Sequence, residues 1–261
     1  MERKLTTVKP EFFPPAVRAL ITGVPVYDSS CSVSARVWFI DRDGGYYLKS
    51  AASGSLNREA VMTDFFHKKG LAPEVLHYEQ SGSDWLLTRR IPGEDCLNKQ
   101  YLDDPIRLCD TVAMLLRQLH TTDFTGCPMT DCTADYIAVV KQCHQLGKWH
   151  PSRLSESLRN SSIDKAWAMV QEFSGKLKND VLIHGDYCLP NIMLNNWAFS
   201  GFIDVGSGGM GDRHIDLYWG IWSLNYNLKT DAYRDRFLDA YGRDRFDPDI
   251  LQAISAFEAF G

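Results

Sequence analysis

The strongest indication of fold and chemistry in this sequence is the segment His184-Gly185-Asp186-Tyr187-Cys188-Leu189-Pro190-Asn191. It is followed by Ile203-Asp204-Val205-Gly206. The pattern is H-G-D-x-x-x-x-N and, twelve residues after the Asn, an apolar residue followed by D-x-G. The preceding residues 181–183 are predicted to form a short buried strand. Residues 192–194 and 201–203 are predicted to form a small hairpin. The polar side chains of the pattern are therefore expected in loops at strand ends.

Asp186, Asn191 and Asp204 are residue types that phosphoryl transfer from ATP requires at this spacing. The reaction needs a carboxylate that accepts or orients the proton of the attacking hydroxyl, a role that fits Asp186. It also needs ligands for Mg²⁺, and Asn191 and Asp204 fit because Mg²⁺ prefers oxygen donors. Each residue alone is typical of a turn or cap, but the three together favour a catalytic site. His184 is predicted to orient the loop by hydrogen bonds rather than to transfer protons.

The composition is that of an ordinary globular protein. The 261 residues are 44% hydrophobic and 23% charged, enough for one large domain or two small lobes. A balance of 28 basic and 33 acidic residues argues against a nucleic-acid partner. No apolar segment approaches the roughly 18 residues of a membrane span. The seven scattered cysteines predict reduced thiols, and no signal peptide is visible, so we expect a cytoplasmic protein.

The character of the sequence changes at Pro92-Gly93. Before this point, the pattern predicts one helix over residues 56–69 and five strands, at 25–27, 35–40, 46–49, 75–79 and 85–88. After it, apolar residues recur on one helix face between Leu108 and Leu119. Further helices are predicted over 134–146, over 163–177 and in the last 45 residues, with breaks near 229 and 242–248. We therefore predict two lobes, residues 1–92 and 93–261, an arrangement in which ligand clefts are common.

The block 184–191, with Gly201-Phe202-Ile203-Asp204 and residues 212–217, resembles the aminoglycoside phosphotransferase family. Within that family it is most similar to the aminoglycoside 3′-phosphotransferases, or kanamycin and neomycin kinases. Their typical text is H-G-D-x-x-x-x-N, G-F-I-D-x-G and A-D-R-x-x-D-L, and the likeness extends to residues 75–78 and 119–128. The resemblance implies an α+β, two-lobed fold of the protein-kinase type. It would have a small five-stranded antiparallel N-lobe with one helix, a hinge near 88–92, and a larger helical C-lobe.

The resemblance also implies that residues 1–92 are the nucleotide-binding lobe. Such kinases use a strand lysine to contact the α- and β-phosphates and a helix glutamate to hold it, which indicates Lys49 and Glu59. Arg58 and Asp64 are charged neighbours, so the sequence leaves the partner of Lys49 open. The main chain of Ile91 in the hinge is expected to bind the adenine edge. The sequence does not distinguish ATP from GTP.

The loop 29–36 occupies the place of the nucleotide-positioning loop but contains no G-x-G-x-x-G. Ser32 and Ser34 are the candidates for contact with phosphate, because small hydroxyl residues offer backbone N–H groups and an O–H. An ordinary hairpin turn is the alternative interpretation of this loop.

Aminoglycosides are polycations, so the resemblance implies carboxylates in the substrate site. Glu156, thirty residues before Asp186, matches one acidic position of the family, whereas Arg153 has the opposite charge. Glu258, near the end of the chain, is predicted to bind a substrate cation or to lie at a solvated helix end. The second acidic pair of the family would fall at Tyr226 and the residue after it, which are neutral here.

Trp219, Trp222 and Tyr226 are spaced i, i+3 and i+7, on one face of a predicted helix. Core packing is the favoured interpretation of these three residues. An aromatic wall of the substrate site is the alternative.

The sequence thus predicts an ATP- and Mg²⁺-dependent O-phosphotransferase that modifies a hydroxyl of an aminoglycoside, as a monomer or weak dimer. The neutral residues at 226 and 227 keep open a same-fold kinase of another small hydroxylated metabolite or antibiotic. A catalytically silent nucleotide-binding protein is disfavoured because Lys49, Asp186, Asn191 and Asp204 are all present. A protein kinase is disfavoured because the sequence has no H-R-D loop and no A-P-E segment after Asp204.

Overall fold

The computed structural model describes residues 3–261 and contains both helices and antiparallel strands. The strands are β1 (Lys4–Thr6), β2 (Val26–Asp28), β3 (Ala35–Ile40), β4 (Tyr46–Ala52), β5 (Val75–Ser81), β6 (Ser83–Arg89), β7 (Glu94–Asp95), β8 (Val181–Ile183), β9 (Ile192–Asn195), β10 (Ala198–Phe202) and β11 (Gly209–Gly211). The helices are α1 (Pro15–Ile21), α2 (Asn57–Lys68), α3 (Lys99–Leu102), α4 (Pro105–Leu119), α5 (Cys132–Gln145), α6 (Ile163–Phe173), α7 (Arg213–Leu228), α8 (Arg234–Tyr241) and α9 (Pro248–Glu258).

The chain forms two compact units. The first comprises the residues up to Asn98 together with 190–207, and the second comprises 99–189 together with 208–261. The predicted boundary at residue 92 assigned 190–207 to the helical lobe, and the structure instead groups this segment with the first unit. The reason is pairing, because β9 forms an antiparallel pair with β7. Gly93 makes the pairing possible, since a Cβ there would lie 2.1 Å from the Leu194 carbonyl oxygen.

The first unit is built on a six-stranded antiparallel sheet in the order β1-β2-β3-β4-β6-β5. All five predicted strands are present, and the predicted helix is α2. The structure also contains strand β1 and helix α1, which the expectation of five strands and one helix did not include. Three residues are too few for β1 to show a period. Helix α1 begins at Pro15, and proline is well tolerated in the first turn of a helix.

The two faces of this sheet have different roles. Because side chains alternate along a strand, Tyr46 and Leu48 of β4 face one side and Tyr47 and Lys49 the other. Tyr46 and Leu48 belong to a buried cluster with residues of α1 such as Val17. Lys49 is therefore directed away from that cluster, on the face that carries the site described below.

The second unit is mainly helical, with β8 and β11 as a two-stranded antiparallel pair. The apolar face of α4 predicted between Leu108 and Leu119 is buried, as expected. The last helix, α9, is buried along most of its length, and its apolar residues pack with those of α6. Each of the seven cysteines in the described chain is a free thiol, as predicted. No helix within residues 3–261 is long and apolar enough to cross a membrane.

Candidate active site

Lys49 connects two carboxylates within the first unit. Its ammonium lies 2.9 and 2.8 Å from the two carboxylate oxygens of Glu59 on α2, and 2.6 Å from Oδ1 of Asp204. The predicted Lys49–Glu59 ion pair is therefore present. Asp64, the other acidic neighbour on α2, instead pairs with Lys68 at 2.6 Å.

The ionisation of this group follows from its partial burial. Burial lowers the pKa of Lys49, but the negative charges of Asp204 and Glu59 outweigh that effect, and the pKa is raised overall. Burial also raises the pKa of Glu59, and the Asp204 carboxylate adds to that shift while Lys49 opposes it. Lys49 therefore carries its positive charge at neutral pH.

The hairpin of β9 and β10 places Asn191 beside Asp204. The Ile203 N–H donates to the Asn191 carbonyl oxygen at 3.0 Å, so Asn191 is hydrogen-bonded through its backbone to the residue that precedes Asp204. Asp204 adopts a left-handed backbone conformation with φ 56°, which is unusual for a residue other than glycine and is common at functional sites. Its side chain is half exposed.

Gly206 explains the glycine of the D-x-G pattern. A Cβ at Gly206 would lie 3.2 Å from Cβ of Glu59 and 3.5 Å from its Cα. A side chain at this position would require α2 to shift at Glu59, so glycine favours close packing of this segment against α2. The glycine thereby helps to hold Asp204 near the Lys49–Glu59 pair.

An open cleft within the first unit is lined in part by Lys49, Glu59 and Asp204. It contains about 720 Å³ of empty space that is partly continuous with solvent. The rest of the lining is mostly apolar, with Ile91 among its residues; the others are Val37, Tyr47, Thr63, Pro73, Leu86, Thr88, Arg89, Met193 and Ile203. Sequence reasoning identified Ile91 but missed Tyr47. The alternation that directs Lys49 into the cleft also applies to Tyr47, two residues earlier, and was the signal that could have found it.

Ser32 and Ser34 lie in an exposed loop of the first unit, and their hydroxyl oxygens are 3.0 Å apart. Neither lines the cleft. Their assignment to phosphate binding stays a prediction.

Asp186 lies in a tight loop of the second unit, after β8. Its backbone N–H donates to Nδ1 of the fully buried His184 at 3.2 Å, so His184 orients the loop as predicted. The Cys188 side chain is hydrogen-bonded to that of Asp186. Burial, followed by the negative charge of Asp186, raises the pKa of Cys188, so the group is a neutral thiol that donates to the carboxylate.

A buried network supports this loop from α7. Asp216, which is completely buried, accepts the backbone N–H groups of His184 at 2.7 Å and Gly185 at 2.8 Å. His120 lies 3.2 Å from the same carboxylate through Nε2 and 2.8 Å from the Tyr241 hydroxyl through Nδ1. The motif around residues 212–217 contains Asp216, but its role as an anchor of the loop that carries Asp186 was not predicted.

Glu258, at the end of α9, is only 4% exposed, so the alternative of a solvated helix end is wrong. Its carboxylate accepts a hydrogen bond from the Tyr136 hydroxyl at 2.8 Å and another from the Trp219 side chain. Burial raises the pKa of Glu258 to about 7, although these hydrogen bonds and the charge of Arg153 oppose the shift. The negative charge of Asp186 contributes to the raised pKa of Glu258, so the two carboxylates interact electrostatically.

The two other charged positions near this part of the chain differ in their surroundings. Glu156 is exposed, at the start of a short 3-10 helix. Arg153 donates through its guanidinium to the backbone oxygens of Glu258, at 3.2 Å, and of Gly261. The positive charge that departs from the family pattern is therefore engaged with the end of the chain.

Comparison with known proteins identifies the class of protein that carries these features. The sequence profile described as the phosphotransferase enzyme family matches residues 31–254. The chain belongs to this family.

Individual relatives narrow the similarity to aminoglycoside kinases. The chain is 46% identical over 252 residues to a probable aminoglycoside 3′-phosphotransferase of Lactococcus lactis subsp. lactis (strain IL1403), with 96% of each protein covered. It is 28% identical to an aminoglycoside 3′-phosphotransferase of Niallia circulans, with 72% of each covered. The family resemblance expected from the motifs is confirmed.

Solved structures confirm the expected kinase-like fold. The crystal structure of an aminoglycoside 3′-phosphotransferase of type VIII superposes with a TM-score of 0.71 at 21% identity, covering 99% of this chain and 94% of that one. An aminoglycoside phosphotransferase, APH(3″)-Id, from Streptomyces rimosus ATCC10970, solved in complex with ADP and streptomycin, gives a TM-score of 0.69 at 21% identity. That match covers 86% of this chain and 90% of the other.

Proposed function

We propose that this chain transfers the γ-phosphoryl group of ATP, or of GTP, to a hydroxyl of an aminoglycoside. The observation that carries the proposal is Lys49, held between Glu59 and Asp204 at the edge of a largely apolar cleft. The similarity to a probable aminoglycoside 3′-phosphotransferase over nearly the whole chain supports the choice of acceptor.

The lining of the cleft suits both the base and the phosphates of a nucleotide. Apolar side chains such as Leu86, Ile91 and Met193 would surround the base, whose edge would bond to the main chain at Ile91. Tyr47 offers a ring on which a base can stack. The charged ammonium of Lys49 would neutralise the α- and β-phosphates, while Glu59 keeps that ammonium in place. Ser32 and Ser34 remain candidates for further contacts to phosphate.

Asn191 and Asp204 are the residues that would hold magnesium. They supply one amide oxygen and one carboxylate, the hard donors that Mg²⁺ prefers. Within residues 3–261, no group of three or more His, Cys, Asp or Glu side chains is arranged to hold a metal. This fits an ion that protein carboxylates and nucleotide phosphates share, as is usual for Mg²⁺. When bound, magnesium would supply positive charge against the phosphates.

Asp186 would align the acceptor hydroxyl and accept its proton. In phosphoryl transfer through a loose transition state, alignment and charge stabilisation contribute more than a strong base. The supports of Asp186, namely the His184 ring, the Cys188 thiol and the Asp216 carboxylate, suit a residue that must hold one orientation. Glu156 and Glu258 would bind substrate ammonium groups, in their ionised forms.

A second candidate is a kinase of the same fold that acts on another small hydroxylated metabolite or antibiotic. It is favoured by the neutral Tyr226 and Asn227, where the family resemblance implies an acidic pair. Similarity to the streptomycin 3″-kinase of Streptomyces griseus, 29% identical over 195 residues, shows that relatives with other acceptors exist. We also propose that the enzyme works in the cytoplasm, where ATP is available, as a monomer or weak dimer.

The test is nucleotide consumption by the purified chain with Mg²⁺ and a panel of kanamycin, neomycin, streptomycin, neutral sugars and amino alcohols. Turnover with kanamycin or neomycin that Asp186→Asn abolishes would support the proposal. Turnover restricted to another compound would favour the second candidate. Nucleotide consumption no faster with any acceptor than without one would contradict both.

A further inference from the structure

Three aromatic side chains on α7 form a ladder, which we define as Trp219, Trp222 and Tyr226. The Trp219 and Trp222 rings meet edge to face, with centroids 5.4 Å apart, and Trp222 and Tyr226 are stacked at 5.0 Å with their planes 10° apart. Trp219 and Trp222 are partly exposed, and Tyr226 is 57% exposed. The expectation that these residues pack in the core is therefore wrong for Tyr226 and incomplete for the two tryptophans.

A cationic side chain already stands over the ring at each end of the ladder. The Lys229 ammonium lies 4.2 Å from the Tyr226 ring centroid, and the Arg153 guanidinium lies 5.8 Å from that of Trp219. Lys229 takes a left-handed backbone conformation, with φ 58°, at the end of α7. Cations are attracted to ring faces by the negative potential above the ring. The ladder therefore presents faces that bind positive charge within this protein.

Trp219, at one end of the ladder, contacts Glu258, one of the residues proposed to bind the acceptor. The Trp219 side chain is hydrogen-bonded to Glu258, and the charge of Asp186 acts on that same carboxylate. Glu258 is in turn held by Tyr136 at 2.8 Å. The ladder thus starts at the carboxylate that is electrostatically related to Asp186 and continues along α7 towards the exposed Tyr226.

A polar atom beside the ladder also lacks a partner. The side-chain carbonyl oxygen of Asn225, between Trp222 and Tyr226 in sequence, is buried but accepts no hydrogen bond from any residue that the structure describes. Buried polar groups are normally hydrogen-bonded, so an unsatisfied one calls for a missing donor.

We propose that the ladder of Trp219, Trp222 and Tyr226 binds a protonated amino-sugar ring of the acceptor by stacking. The inference rests on the proposed function, whose acceptor has such rings. The ring C–H groups of a sugar carry partial positive charge and lie against aromatic faces, and its ammonium groups bind as cations. In this chain, Tyr226 of the ladder thus places an aromatic face at one of the two positions where the resemblance implies a second acidic pair.

The experiment is isothermal titration of kanamycin, and separately of neomycin, into the full chain with ADP and Mg²⁺, so that no turnover occurs. Trp222→Ala and Tyr226→Ala are each expected to weaken the Kd for these compounds by about tenfold. Tyr226→Phe is expected to stay within about twofold of the original chain, because the ring face is kept. The Kd for ADP is expected to be unchanged in all three variants.

Phe12→Ala is the matched control, because Phe12 is also an exposed ring, 60% exposed, with a ring contact to Trp85 at 5.8 Å. It is expected to leave the Kd for kanamycin unchanged. Tyr226→Ala keeps the test valid if Trp222→Ala folds poorly, since Tyr226 is mostly exposed. Unchanged Kd values in Tyr226→Ala, or no binding of either compound to the original chain, would overturn the ladder. Binding without phosphorylation would overturn the proposed function alone.

Discussion

The ammonium of Lys49 lies 2.6 Å from Oδ1 of Asp204, across 155 residues of sequence. A strand lysine and a loop aspartate are thereby brought into one ion pair, while Glu59 binds the same ammonium from α2. The contact places a fixed positive charge next to a half-exposed carboxylate at the cleft. Anionic phosphates and a divalent cation have opposite electrostatic needs, and this pair offers a partner to each.

We expect Lys49→Met to lower kcat/KM for ATP by at least about a hundredfold, chiefly through KM. The substitution removes the positive charge expected at the phosphates and leaves Glu59 and Asp204 without a counter-charge. Steady-state kinetics at varied ATP and saturating acceptor provide the measurement. Lys68→Met is the control, because Lys68 forms an exposed pair with Asp64. Equal losses in both variants would contradict the role of Lys49.

Asp186→Asn is expected to reduce kcat by about 10²–10⁴-fold, the usual contribution of a positioned general base. The amide has nearly the same shape but cannot accept the proton of the acceptor hydroxyl. The Kd for ADP, measured by titration, should change by less than twofold. If kcat stays within tenfold of the original value, Asp186 does not have the assigned role.

Asp216→Asn is expected to lower both stability and kcat. The new NH₂ group would face backbone N–H donors of His184 or Gly185, and a buried donor without an acceptor costs about 1–3 kcal/mol. A melting temperature several degrees lower is therefore expected, together with a reduced kcat and little change in the KM for ATP. Differential scanning fluorimetry and kinetics would measure these effects.

Asp110→Asn is the matched control for that change, because Asp110 is a carboxylate that pairs with Arg236 at an exposed site. Exposed ion pairs contribute about 1 kcal/mol or less, so its melting temperature and kcat should barely change. A normal kcat in Asp216→Asn would show that the loop does not depend on this anchor.

Glu258→Gln is expected to make stability less dependent on pH. The folded-state pKa of Glu258, about 7, lies above the ordinary value of 4.5, so folding favours the protonated carboxyl. The stability that this preference provides is fully present below pH 4.5 and is lost as the pH rises through 7. The glutamine variant keeps a neutral group and avoids that loss.

The melting temperature of Glu258→Gln relative to the original chain should therefore be higher at pH 8 than at pH 5.5. Thermal unfolding at both pH values checks this expectation, with Glu156→Gln as a control because Glu156 is exposed. A difference in melting temperature that is the same at both pH values would contradict the raised pKa.

Local pattern was sufficient for much of the fold. A β-rich segment bounded by turn residues predicted β3, and a short apolar run predicted β8, both with the ends that the structure shows. The apolar period predicted α4, because that helix buries one face and the sequence records this at short range. The terminal strand β1 and the pairing of β9 with β7 were not predictable in this way. Both depend on residues that are distant in sequence.

The candidate chemistry of the site could be predicted from the sequence. The spacing of Asp186, Asn191 and Asp204, and the resemblance it carries, specified a phosphotransferase before any distance was known. That is possible because the reaction constrains residue type and loop length within one short stretch of chain. Lys49 and Glu59 were predicted from that resemblance, as the strand lysine and helix glutamate that such kinases use.

Tertiary packing fixes which charged and aromatic side chains are buried and which residues they contact. Lys49 pairs with Glu59, whereas Asp64 pairs with Lys68. Asp216 is hydrogen-bonded to the backbone of the loop that carries Asp186. The packing also buries Glu258 against Tyr136, 122 residues away, and leaves the α7 ladder partly exposed. Burial and contact arise from the packing of distant segments, so they leave no local periodicity that a sequence alone could show.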